Sequence, residues 1–221
     1  MSRLQTLAAV ALGAMTAVSL HAQSPETIVD HAARAYASVK SLRATFTQQI
    51  TNPLTGHDDA SRGELQQRGP AYLSVRFTEP KGDEIVADGK AIWVYLPSTT
   101  PGQVIRMPLG DNAAGVPDVA ALFLKSPRKR YTMSAAGIAT VQGHATHAVV
   151  LVPRDSTIPF SRATVWVDDD DGLIRQFEIT DPNGLVRHVE ITSLKPNAKP
   201  DANAFVFHVP AGVKVFDQRG Q

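Results

Sequence analysis

No cysteine occurs in the 221 residues. That removes disulfides, thiolate metal sites and a Cys nucleophile together. Stability must then come from core burial, which a chain of this length permits. Charge of one sign is lacking too, since 22 Lys and Arg face 21 Asp and Glu. A balance this even gives no reason to expect nucleic acid or an anionic membrane surface as a general partner. Catalytic signatures are missing as well: there is no G-x-S-x-G elbow, phosphate-binding glycine loop or H-E-x-x-H helix. The sequence therefore points to no enzyme and to no cofactor.

Long apolar runs are absent except at the N-terminus. Arg3 precedes an apolar stretch from Leu4 to Leu20, and the small residue Ala22 follows. This order is that of a cleaved secretory leader, residues 1–22. The rival reading is a retained anchor, for which the stretch is slightly short against the roughly 20 residues a span needs. Residues 23–221 are expected to form one domain, exported to the periplasm.

Ser24-Pro25-Glu26 reads as a helix start, with a capping side chain, a proline at the first helical position and an acid at the positive dipole end. Ile28, Val29, Ala32, Ala33, Tyr36 and Val39 continue at helical spacing. Strands are then expected at Arg43–Thr51, Gly63–Gln67, Tyr72–Thr78, Glu84–Ala87, Ala91–Leu96 and Gln103–Met107. Gly56-His57-Asp58-Asp59 reads as a polar loop, and Asp88-Gly89 as a hairpin turn. Pro117–Lys125 carries Val119, Leu122 and Phe123 at helical spacing and is expected to be a short helix. Strands resume at Arg130–Ser134, Ile138–Val141, Ala145–Val152, Arg162–Val167, Leu173–Thr180, Val186–Ser193 and Phe205–Val209.

About eleven short strands in meander order predict a mainly β fold with one large antiparallel sheet. Two helices cannot cover both faces, so the sheet should curl into an incomplete barrel, with the helices as a lid over an unfilled interior.

Several segments resemble a known family. These are Leu42-Arg43-Ala44-Thr45-Phe46-Thr47-Gln48, Gly63-Glu64-Leu65, Pro70, Phe77-Thr78-Glu79-Pro80 and Ala87-Asp88-Gly89-Lys90-Ala91-Ile92-Trp93-Val94-Tyr95. Phe205-Val206-Phe207, Pro210-Ala211-Gly212-Val213 and Asp217 close the series. The chain resembles the periplasmic outer-membrane lipoprotein carrier (LolA) family, and D-G-K-x-x-W-x-Y is the most specific segment. The resemblance implies a half-open barrel whose hydrophobic cavity holds lipoprotein acyl chains. It implies partners too: an inner-membrane lipoprotein-releasing ABC transporter and an outer-membrane lipoprotein acceptor. A diffusing shuttle is expected to be a monomer.

In this family an arginine directly before the matched proline helps hold the lid shut. Here Gly69 precedes Pro70 and Arg68 stands one position earlier. A one-residue shift on a strand reverses the face. Arg68 serves as the latch only if a bulge intervenes, which Gly69 permits; otherwise Arg76 or Arg43 replaces it, or the latch is absent. Candidate cavity residues are Phe46, Leu65, Leu73, Val75, Phe77, Ile85, Trp93, Leu122, Phe123 and Phe177. Two alternatives remain: a periplasmic envelope-stress sensor of similar shape, and a carrier of another lipid or glycolipid. Asp168–Asp171 reads as a solvated hairpin turn rather than a calcium loop. His144 and His147 fall on opposite strand faces and make no metal site.

Overall fold

The computed structural model describes residues 23–109, 118 and 120–218. The expected leader, together with Pro117 and Val119 of the expected middle helix, lies outside the described residues.

Helix α1 spans Pro25–Ala37. Ser24 Oγ accepts from the Thr27 N–H at 3.2 Å, and Pro25 occupies the first turn, as the sequence predicts. The strands are β1 (Ser41–Asn52), β2 (His57–Arg68), β3 (Tyr72–Glu79), β4 (Glu84–Asp88), β5 (Ala91–Tyr95) and β6 (Gln103–Pro108). A π-helical turn, Ala120–Leu124, and a short helix α2, Pro127–Arg130, come next. The remaining strands are β7 (Tyr131–Val141), β8 (His144–Pro153), β9 (Arg162–Asp168), β10 (Ile174–Thr180), β11 (Val186–Pro196) and β12 (Lys214–Asp217).

The strands form one unclosed sheet in the order β12-β6-β5-β4-β3-β2-β1-β11-β10-β9-β8-β7. Two antiparallel meanders, β1–β6 and β7–β11, meet at the β1–β11 pair. The chain is thus mainly β with a half-open sheet, as expected, but the order is not one continuous meander.

Four local expectations need correction. His57–Ala60 belongs to β2, with Asn52 paired to His57 and Thr51 to Asp58. Both faces of the strand are exposed there, so no apolar alternation marks it. Arg130–Ser134 and Ile138–Val141 are parts of one strand, interrupted by a bulge between Ala135 and Gly137, with Arg130 still in α2. Phe205–Val209 is not a strand. Its aromatic side chains lie across the outer face of the sheet, and β12 pairs instead, parallel to β6. Asp168 is not solvated: it is 1 % exposed and meets Arg175 Nε at 2.8 Å and His144 Nδ1 at 2.7 Å. His147 pairs separately with Asp169 at 2.5 Å.

Two glycines let neighbouring parts meet. A Cβ on Gly172, at φ +73°, would fall 2.8 Å from the His31 ring, so the β9–β10 turn can touch α1 only without a side chain. A Cβ on Gly63 would stand 2.5 Å from the Arg76 carbonyl and 3.1 Å from the Phe46 ring. Gly63→Val should therefore lower stability by about 1–3 kcal/mol, measured by denaturant unfolding; an unchanged midpoint would contradict the packing.

Burial opposes ionisation of Asp168, but the Asp170 N–H and the Arg175 guanidinium outweigh it and hold its carboxyl below the usual range. A depressed folded pKa adds stability above the unfolded value, near 4, and loses it as pH falls through the folded value. Thermal stability should accordingly drop on acidification below about pH 4. Asp168→Asn should reduce that acid dependence and cost about 1–3 kcal/mol at neutral pH, because the buried Arg175 then keeps only the Asp171 carboxylate as its charged partner.

Candidate functional site

Alternation along the strands sorts side chains onto two faces. On the inner face of β1–β6 lie Phe46, Leu73 and Val75, buried, with Leu65, Phe77, Ile85, Val94 and Met107 half-buried. Phe46 and Phe77 meet edge to face at 5.7 Å, over the space Gly63 leaves. A second cluster fills the inner face of β7–β10. There α1 lays Ile28, Val29 and Ala32 against Val149, Leu151, Val165, Val167 and Ile174. Phe123 from the π-helical turn is fully buried, 6.0 Å from Phe160 and 5.5 Å from Phe177, and Leu122 packs beside it. Phe177 belongs to both clusters and joins the two halves.

Phe46, Leu65, Leu73, Val75, Phe77, Ile85, Leu122, Phe123 and Phe177 are thus brought to one continuous apolar face. Trp93 is not. Ile92 and Val94 point inward, so Trp93 stands on the outer face, its Nε1 donating to Asp88 Oδ2 at 2.9 Å and its ring stacked on Phe207 at 5.3 Å. Asp88 Oδ1 also accepts from the N–H groups of Lys90 and Ala91, both at 2.8 Å. The D-G-K-x-x-W segment is therefore a turn-and-clamp for the C-terminal segment. Val94 and Met107, which the sequence reading passed over, take the inner positions; the alternation around Trp93 carried that signal.

One half of the inner face is plugged by α1 and the π-helical turn, while the other keeps half-exposed apolar side chains. At the seam lies a cavity of about 210 Å³, lined by Tyr36, Val39, Leu42, Gln67 and Pro70 among others. Ligand pockets usually span about 300–1,000 Å³. The seam cavity is thus smaller than a usual ligand pocket, and the partly uncovered apolar side chains lie beside it on β2–β6.

The lid is fastened from an unexpected side. Arg130 Nη1 donates to the carbonyls of Ala121 at 2.9 Å and Leu122 at 3.1 Å, and the Tyr131 hydroxyl also donates to the Leu122 carbonyl. These carbonyls end a helical turn and need outside donors. Arg128 pairs with Asp30 of α1 at 2.5 Å. At the other end of α1, the Tyr36 hydroxyl accepts from the Ile174 N–H at 3.4 Å, and burial pushes its pKa up to about 12, so it stays a neutral phenol.

Arg68, by contrast, lies over the rings of Tyr72 and Phe205, at 4.4 and 5.2 Å. Arg43 pairs with Asp201 at 2.8 Å, and Arg76 with Glu84 at 3.5 Å. The three arginines considered from the sequence thus engage the outer face and the C-terminal segment. Arg130 was missed because it sits in a basic run, where charge alone does not distinguish an inward-turned guanidinium from its exposed neighbours.

Comparison with known proteins agrees with this geometry. The family model for the outer membrane lipoprotein carrier protein LolA matches residues 37–208. The chain is 28% identical over 182 residues to the outer-membrane lipoprotein carrier protein of Klebsiella pneumoniae (strain 342), covering 82% of this chain and 83% of that one. It is equally similar to the protein of that name from Salmonella paratyphi B. Among solved structures it is similar to an uncharacterized conserved protein from Thermus thermophilus, with TM-score 0.55 at 15% identity over 89% of this chain and all of the other. It also resembles MucB, with TM-score 0.53 at 16% identity, covering 85% of this chain and 63% of MucB. The half-open sheet, its lidded apolar inner face and the family match together show that the chain belongs to the outer-membrane lipoprotein carrier (LolA) family.

Proposed function

We propose that the protein carries lipoproteins through the periplasm, with their acyl chains sheltered on the inner face of the sheet. In this reading it receives cargo from an inner-membrane lipoprotein-releasing ABC transporter and yields it to an outer-membrane acceptor. It travels as a monomer, exported by a leader over residues 1–22. The observation that carries the proposal is the continuous apolar inner face, only partly buried at Leu65, Phe77, Ile85, Val94 and Met107 and closed elsewhere by α1 and the π-helical turn.

Magnitudes favour opening by cargo. Burying an acyl chain recovers about 0.8 kcal/mol per methylene, or roughly 12 kcal/mol for about 15 methylenes. Unseating α1 exposes Ile28 and Val29, each worth about 1.5–3 kcal/mol. Phe123 and Leu124 of the turn, also buried, bring the whole lid to about the size of one tail, so a cargo with more than one tail outweighs it. The carrier still has to release its load, so its surface must be apolar without being selective.

Incubated with inner-membrane vesicles bearing the transporter, the purified protein should draw lipoprotein into the soluble fraction. Failure to release any would contradict the proposal. Mass spectrometry of co-purified lipid then separates a lipoprotein carrier from a carrier of another amphiphile.

Position on the sheet makes a sharper test. Val94→Asp should abolish cargo uptake while leaving the circular dichroism spectrum unchanged, because it puts charge where hydrocarbon must lie. Trp93→Phe should leave uptake unchanged, although its stacking on Phe207 is worth about 0.5–1.5 kcal/mol of stability. Equal effects of the two on uptake would remove the distinction between the faces.

Arg130→Met should loosen the lid. Without cargo, the variant should bind an apolar fluorescent probe more strongly than the parent, at little change in secondary structure. Unaltered probe binding would show that Arg130 does not hold the lid.

A further inference from the structure

Charge is balanced along this chain but not in space. Between the π-helical turn and β7 the sequence runs Lys125-Ser126-Pro127-Arg128-Lys129-Arg130. Lys125, Arg128 and Lys129 are exposed. Arg154 is exposed beside them, tied in place by its backbone N–H to the Arg130 carbonyl at 2.8 Å and by its Nε to the Tyr131 carbonyl at 3.0 Å. The acids acting on this corner are Asp30, which holds Arg128, Glu26, which also acts on Arg128, and Asp155, which feels Arg130 and is itself engaged by Thr157; five basic side chains therefore face three acids. Lys125 and Lys129 have no ion pair among the described residues. The corner is tied to the strands by the Arg154 N–H on the Arg130 carbonyl, while the Arg130 side chain turns inward onto the lid.

We propose that Lys125, Lys129 and Arg154, with Arg128 beside them, form a docking surface for the anionic head groups of a phospholipid bilayer. Phosphate supplies the negative charge that the protein itself leaves wanting here. Basic side chains clustered near an anionic bilayer each strengthen binding, and the attraction fades within a Debye length. The position suits the chemistry: the corner directly follows Leu122, Phe123 and Leu124, so a bilayer held there lies against the lid rather than against the sealed outer face. An acidic protein segment is the competing occupant. The bilayer is favoured because Lys125, Arg128, Lys129 and Arg154 are all exposed at one corner beside the π-helical turn, and none of them lines the seam cavity, where an extended chain could be held. The proposal goes beyond the carrier reading and does not need cargo, so its test uses cargo-free protein.

The experiment is sedimentation of the purified protein with vesicles of phosphatidylglycerol and phosphatidylethanolamine, against vesicles of phosphatidylcholine alone. Binding to the anionic vesicles should exceed binding to the neutral ones and should fall as salt is raised. Lys125→Glu with Lys129→Glu should weaken it by about tenfold or more. Lys195→Glu with Lys199→Glu, exposed but on the far end of β11 and the segment after it, should leave it unchanged; circular dichroism checks that both variants fold. Equal binding to both vesicle types, or a loss no greater for the first pair than for the second, would overturn the proposal. So would capture by an acidic peptide with no binding to anionic vesicles.

Discussion

The structure depends on a mismatch of area. An inner face spread over twelve strands carries apolar side chains from β1 to β11 and beyond, and one thirteen-residue helix with a single π-helical turn is set against it. Those two pieces satisfy the face of β7–β10, where Phe123, Val149 and Val165 reach full burial. They leave the face of β2–β6 partly uncovered, with Phe77, Ile85 and Val94 still touching solvent. Water is a poor neighbour for such a surface, and hydrocarbon is a good one. The carrier reading follows from that imbalance more than from any single residue.

The outer face shows the opposite solution. There the C-terminal segment is fastened across the sheet by Asp201 on Arg43 and Gln66, by Phe205 on Tyr72, by Phe207 on Trp93, and by Asp217 on Arg106 at 3.0 Å. Arg68 stacks on the same strap. Aromatic contacts and ion pairs thus seal one side, while the inner side is closed by one helix and one turn, held by apolar packing of Ile28, Val29 and Phe123, by the Arg128–Asp30 pair and by the hydrogen bonds of Arg130 and Tyr131. Moving the inner closure displaces one helix and one turn and breaks no strand pairing. Lid carbonyls held by Arg130 and Tyr131 can change donors far more cheaply than a strand ladder can be broken.

Much of this was legible in the sequence, and the exceptions have physical causes. Alternation in β3 puts Leu73, Val75 and Phe77 on one face, and Asp88-Gly89 marks the β4–β5 hairpin, because each signal is local. Ser24-Pro25-Glu26 marked the start of α1 for the same reason. Trp93 stands among the expected cavity residues, although its neighbours Ile92 and Val94 take that face. Phe205–Val209 looked like a strand because aromatic and β-branched residues suit both a ladder and a strap laid over one. His57–Ala60 pairs where neither face is buried, so its composition reads as a loop. The inward turn of Arg130 and the pairing of β12 with β6 depend on contacts between distant parts of the chain, which no local pattern encodes.

The most direct test of the account places a photo-activatable side chain on each face of one strand. With the probe at position 94, illumination of the cargo-loaded protein should cross-link the probe to the lipid tail. With the probe at position 93, it should give no lipid adduct, because that face is covered by Phe207. Adducts from 93 and none from 94 would contradict the claim that acyl chains lie on the inner face of the sheet.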